Sequence, residues 1–150
     1  GSGELHVAAV DYDLEGQVTI SGKAPAGSTV LVYLDDAPIG QALAGADGTW
    51  AVTPDGSVAS GLHRLRADLL DRDGKVVARV ETPFSRAEPI QLADNQTFVV
   101  VQPGNNLWVI ARGHYGQGIR YTAIYEANLG QIRDPDLIYP GQIFLIPQVN

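Results

Sequence analysis

The sequence predicts two domains: an all-β antiparallel sandwich over residues 4–84 and a small α+β unit over 97–150 in the order strand, helix, helix, strand, with a linker at 85–96. Three observations lead there. Through the N-terminal part, short β-branched and aromatic runs alternate with turn residues, the pattern of hairpin-connected strands. Residues 85–96 then lapse into Ser-Arg-Ala-Glu-Pro-Ile-Gln-Leu-Ala-Asp-Asn-Gln, polar and interrupted by proline. Beyond this stretch, two short strand patterns bracket two segments of helical periodicity.

Taken in order, residues 17–21 alternate as Gln-Val-Thr-Ile-Ser, and Thr29–Leu34 is a β-branched and aromatic run. Residues 49–53 are centred on Trp50, which is expected to fill the sandwich core, and strands are expected at 62–70 and 76–82. Between them stand Ala26-Gly27-Ser28, Asp35-Asp36-Ala37-Pro38, Ala46-Asp47-Gly48, Asp55-Gly56-Ser57 and Asp73-Gly74, residues suited to tight turns or positive φ. Two sheets with one apolar face each hide those faces best against each other, hence a sandwich. In the second unit a strand at 97–101 leads through Gln102-Pro103-Gly104 to a helix at 107–115. Asn106 is placed to cap that helix through its side-chain oxygen. Leu107, Ile110 and Ala111 share one helical face, as do Ala123, Ile124 and Ala127 in a second helix at 121–128. A last strand is expected at 142–146.

Composition narrows the function classes. The 150 residues are 45% hydrophobic and 18% charged, enough apolar material for a core and too little charge for a disordered tail. The net charge of −7 sits wholly in residues 1–96, which carry seven Lys or Arg against fourteen Asp or Glu, while 97–150 carry three of each sign. With no basic stripe, neither nucleic acid nor an anionic membrane surface is an expected partner. No stretch approaches the roughly 18 apolar residues of a membrane-spanning helix. Gly1-Ser2-Gly3 reads as an appended remnant rather than a targeting signal, and the chain is expected to be soluble and monomeric. The absence of cysteine removes disulfides, thiol catalysis and cysteine-held zinc.

No catalytic, metal or cofactor site is expected. His6, His63 and His114 belong to no ligand or nucleophile pattern and read as solvated or locally bonded imidazoles. Asp71-Arg72-Asp73-Gly74 lacks the further acidic positions of a calcium loop, so turn chemistry accounts for it. Asn95-Gln96-Thr97 matches a glycosylation sequon without an expected use. For Trp108, shielding of its own helix takes precedence over contact with a ligand, and Tyr115, Tyr121 and Tyr125 are read first as packing residues.

The run from Gly16 to Gly27, Thr29 to Tyr33, Ala46-Asp47-Gly48-Thr49-Trp50, Ser60-Gly61-Leu62-His63 and Asp73-Gly74 resembles a bacterial immunoglobulin-like domain, which implies a spacer or adhesion-type module. The second unit resembles a LysM domain over residues 97–147. The matching residues are Phe98-Val99-Val100-Val101, Pro103-Gly104 leading to Leu107-Trp108-Val109-Ile110-Ala111, Tyr115-Gly116, Ile124, Ala127-Asn128, Ile132, the segment Asp134 through Gln142, and Leu145-Ile146-Pro147.

The LysM resemblance implies a module that binds peptidoglycan or a chitin-like N-acetylglucosamine glycan without altering it, exported to the periplasm or cell wall. It places the ligand between two loops, here Gly104, Asn105, Asn106 and Leu107 on one side and Asp134, Pro135, Asp136, Leu137, Ile138 and Tyr139 on the other. Backbone amides with small apolar walls suit the acetamide and C–H faces of such a sugar, Gly104 allowing close approach and Leu137 with Ile138 offering a floor for the acetyl methyl. The family commonly has Gly-Asp-Thr or Gly-Asp-Ser where this chain has Gly104-Asn105-Asn106, so Asn105 lacks a carboxylate. That departure keeps two rivals in view: an assembly module that has lost sugar binding, and the targeting part of a larger wall enzyme.

Overall fold

The computed structural model describes residues 5–13, 15–54, 58–88 and 95–149. The expected Asp55-Gly56-Ser57 turn, residues 1–4 and the middle of the expected linker lie outside them. Among the described residues, seven strands build the N-terminal part: β1 His6–Tyr12, β2 Val18–Lys23, β3 Thr29–Leu34, β4 Ala37–Leu43, β5 Thr49–Val52, β6 Gly61–Leu70 and β7 Val76–Arg86. They form two antiparallel sheets, ordered β1-β2-β5 and β4-β3-β6-β7. Alternation decides which side chains go inside. Val18 and Ile20, Val30 and Val32, Trp50 and Val52, and Leu65, Ala67 and Leu69 are buried in one core shared by both sheets. The Trp50 indole N–H donates to the Lys23 carbonyl at 3.1 Å, satisfying the one polar atom that this ring takes inside.

Several expected boundaries shift, for physical reasons. β1 lies before the first predicted strand and is held in register by β2. The expected four-residue turn at Asp35-Asp36-Ala37-Pro38 closes in two: Asp35 and Asp36 take φ of 51° and 69°, a hairpin connection that matches strand twist, and Ala37 and Pro38 already belong to β4. Pro38 is tolerated because β4 is an edge strand. Ser85 and Arg86, assigned to the linker, instead end β7, paired with Leu62 and Gly61 of β6.

The second unit follows the expected order: β8 Thr97–Val100, α1 Leu107–Tyr115, a 3₁₀ turn Gly118–Arg120, α2 Tyr121–Ala127 and β9 Ile143–Ile146. β8 and β9 pair antiparallel, Thr97 opposite Ile146 and Val100 opposite Ile143. The core is Val101, Leu107, Ile110, Ala111, Ile124, Ile132, Phe144 and Ile146. Ala127 is exposed rather than sharing the buried face of Ile124, because α2 ends there. The buried Asn128 ties that end to β9: its Nδ2 donates to the carbonyls of Ile124 at 2.7 Å and Leu145 at 2.9 Å, and its Oδ1 accepts the Leu145 N–H at 2.9 Å.

The two units are in contact. The Gln102 side-chain amide meets the Val10 backbone as a strand neighbour would, Oε1 accepting its N–H and Nε2 donating to its carbonyl, both at 2.8 Å. The Tyr12 hydroxyl donates to the Gly141 carbonyl at 2.7 Å and accepts the Ala87 N–H at 3.1 Å. Burial pushes the Tyr12 phenol above its ordinary pKa, against the lowering by the Ala87 N–H and the Arg86 guanidinium, so it stays protonated to donate. The Ser85 N–H donates to the Pro140 carbonyl at 2.8 Å.

Gly141 is required at this junction. It has φ of 96°, and a Cβ there would stand 2.3 Å from the Ser85 carbonyl oxygen and 2.5 Å from the Phe84 ring.

Candidate functional site

The loop after β8 is shaped by its own amides. The Asn105 Oδ1 accepts the Gln102 N–H at 2.9 Å while its backbone N–H donates to the Gln102 carbonyl at 3.0 Å, folding residues 102–105 into a closed turn. Gly104 sits in that turn at φ of 84°, a conformation that disfavours any residue with a Cβ. Asn106 has extended dihedrals, φ −139° and ψ 167°, and its Oδ1 accepts the Val109 N–H at 2.8 Å, the expected cap of α1. The next residues divide by helical geometry. Leu107 turns into the core, whereas Trp108 is 49% exposed.

The second loop is braced from both ends. The Asp134 Oδ1 accepts the Asp136 N–H at 2.9 Å, and the Leu137 N–H donates to the Asp134 carbonyl at 2.8 Å, an Asx turn that presents Pro135 and Asp136. Behind it, the buried Gln142 accepts the Tyr139 N–H at 2.7 Å through Oε1 and donates to the Gln131 carbonyl at 3.3 Å.

An open groove of about 540 Å³ runs between these loops, lined by Asn106, Leu107, Trp108, Tyr121, Pro135 and Asp136. Asn106 and Leu107 from the first expected loop thus meet Pro135 and Asp136 from the second. The other expected residues stand elsewhere. Asn105 turns inward to Gln102, Gly104 serves the turn, and Asp134 braces its own loop. Leu137 is exposed outside the groove lining, Ile138 packs against the core, and the Tyr139 backbone is held by Gln142.

Tyr121 packs against the core as read from sequence and also lines the groove, where its ring centroid stands 6.5 Å from that of Trp108, the other aromatic residue of the wall. No sequence signal marks them as wall residues; Gly118, whose Cβ would collide with the indole, leaves room for Trp108 only once the helices are packed. Tyr115 and Tyr125 pack against the core, and the Tyr115 hydroxyl donates to the Pro147 carbonyl.

Asp136 is the one ionisable carboxylate in the groove wall, which is otherwise a mixture of apolar surface and amide. Such a lining suits a neutral, hydroxyl-rich ligand with hydrocarbon faces. Among the described residues, no group of three or more His, Asp or Glu is disposed to hold a metal ion. A second concavity of about 510 Å³ lies between the two units, where Arg86 is occupied with the carbonyls of Ala87 at 2.7 Å and Gly16 at 2.5 Å. His63 is locally bonded, Nδ1 to Asp35 at 2.6 Å and Nε2 to the Ala59 carbonyl at 2.7 Å. Burial opposes charge on that ring, but the two acceptors outweigh it and its pKa is raised.

The LysM domain family matches residues 99–147. The chain is similar to the potassium binding protein Kbp of Escherichia coli O6:H1, 33% identical over 103 residues that cover 69% of this chain and 66% of that protein. It is also similar to the resuscitation-promoting factor Rpf of Micrococcus luteus, 42% identical over 50 residues that cover 33% of this chain and 22% of that protein. No solved structure matches the chain significantly. The family match falls on the β8-α1-α2-β9 unit and spans both groove loops. Residues 99–147 are a LysM domain, the family of modules that bind peptidoglycan and chitin-like glycans, standing behind an all-β N-terminal region.

Proposed function

We propose that this chain is a non-catalytic carbohydrate-binding module whose groove takes peptidoglycan or a related N-acetylglucosamine glycan, with the N-terminal region as an immunoglobulin-like spacer. The observation that carries this reading is the meeting of the two LysM loops in one open groove of amide and apolar surface. A glycan offers hydroxyls, an acetamide that donates and accepts, and C–H faces. Asn106 commits its Oδ1 to the helix cap, which leaves Nδ2 as its donor to a sugar oxygen. Asp136 accepts from hydroxyls, and Pro135 supplies apolar contact. The spacer reading is supported by the strand order β1-β2-β5 against β4-β3-β6-β7 and by the hydrogen-bonded junction that fixes the LysM domain on it. The site of action is the periplasm or cell wall, and the chain acts there as a monomer.

So open a groove leaves much of the ligand hydrated, so one copy binds in the millimolar to micromolar range, about −4 to −8 kcal/mol. Co-sedimentation tests the reading. The chain is expected in the pellet with purified sacculi or chitin, and amide shifts on titration with N-acetylglucosamine oligomers are expected around Asn106, Leu107, Pro135 and Asp136. Retention in the supernatant with both polymers refutes it. Incubated sacculi are expected to release no soluble fragments.

A further inference from the structure

Trp108 occupies the first turn of α1, where a large ring must either fold onto the protein or stand in water. It does both, and the geometry separates its two faces. A Cβ on Gly118 would stand 2.2, 2.3 and 2.5 Å from Cε2, Nε1 and Cδ2 of the indole. Cε2 is bonded within the ring plane to Nε1, Cδ2 and Cζ2, so nothing can approach it along that plane. Gly118 therefore lies over one face of the indole, and only glycine leaves room there. Gly118 covers the five-membered ring on that side, and Trp108, 49% exposed, lines the groove. Tyr121 stands beside it, tilted by 39°.

The spacing defines how a sugar is received. A pyranose held between two rings needs about 7–8 Å between them, twice the contact distance of about 3.5–4.0 Å between carbon atoms. The observed 6.5 Å is too short for a sugar to be clamped between the two rings, which leaves stacking on one of them. The second loop contributes Pro135 and the Asp136 carboxylate to the lining.

Resting on the glycan reading above, we infer that Trp108 is the stacking platform of the groove: one pyranose of an N-acetylglucosamine oligomer lies with a C–H face on the open face of the indole, bounded by Tyr121. Gly118 backs the ring and keeps that face presented. A pyranose of gluco configuration such as N-acetylglucosamine carries axial hydrogens on both faces, so the platform selects for an apolar ring face.

The test is titration of the intact chain with chitotetraose, followed by proton NMR of the sugar and by calorimetry. In the wild type, the ring C–H protons of one saccharide are expected to move upfield in the indole ring current. Trp108→Ala is expected to weaken binding about threefold to tenfold, and Trp108→Phe to restore most of the loss. Because the wild-type shifts need no variant, they decide the matter even where Trp108→Ala fails to fold. Chitotetraose binding without upfield shifts, or unchanged in a folded Trp108→Ala, overturns the platform and leaves the glycan reading standing. Absence of binding to chitotetraose, sacculi and chitin alike overturns the glycan reading itself.

Discussion

Where the LysM domain meets the sandwich, a single added carbon on Gly141 would stand 2.3 Å from the Ser85 carbonyl oxygen; where it borders the groove, half of the Trp108 surface lies open. At the first surface, polar groups of one unit are paired with those of the other. Gln102 answers both the N–H and the carbonyl of Val10, and Tyr12 and Ser85 reach Gly141 and Pro140. The second leaves aromatic faces and a carboxylate to solvent among walls held rigid from behind by Asn106, Asp134 and Gln142. One domain thus carries a surface whose chemistry is completed within the chain and another whose chemistry is left for a ligand. Substitutions at the first should change stability, and substitutions at the second should change binding.

The sharpest way to break that contrast is Gly141→Val, which combines a positive φ with a collision against backbone. It is expected to cost about 3 kcal/mol or more, from strain and overpacking together, visible as a large drop in thermal midpoint. A midpoint unchanged in this variant would mean that the junction is loose. Gln102→Ala comes next. It leaves the Val10 N–H and carbonyl without their partner, a loss of about 1–3 kcal/mol by denaturant unfolding, with glycan binding unaffected. Asn106→Ala sharpens the comparison because Asn106 serves both ends: loss of the cap is expected to cost about 1 kcal/mol, with weaker binding to chitotetraose, whereas Asn106→Ser should recover the stability alone.

The smallest effect concerns pH and lies within the sandwich. His63 has a raised pKa in the fold because, despite its burial, Asp35 and Ala59 both accept from the ring. Its stabilising contribution is complete below the unfolded value of about 6.5 and is lost as pH rises through the higher folded value. Thermal midpoints across that window should fall more in the wild type than in His63→Gln, and equal slopes would remove His63 from the account.

How much of this was legible beforehand varied with the range of the interaction. The Asn106 cap and the face of Leu107, Ile110 and Ala111 follow from spacing within one turn, and both are present. β1 and the edge strand β4 were not legible, since their register comes from β2 and β3 and Pro38 disguises the latter as a turn. In the site, Asn106 and Leu107 share one groove lining with Pro135 and Asp136, as the two loops named by the family resemblance imply, while Leu137, Ile138 and Tyr139 follow in the second loop outside that lining.

By itself the sequence determined the alternation that builds two β-sheets, the order strand, helix, helix, strand that follows them, and the residues that start and stop α1, because these are set by neighbours a few positions away. Only the tertiary structure decided that Trp108 keeps one face for the groove, that Tyr121 stands beside it, and that Gln102, Tyr12 and Gly141 join the two units. Those outcomes depend on contacts between residues as far apart as Tyr12 and Gly141, whose approach is settled by the packing of whole elements and leaves no periodic trace in the chain.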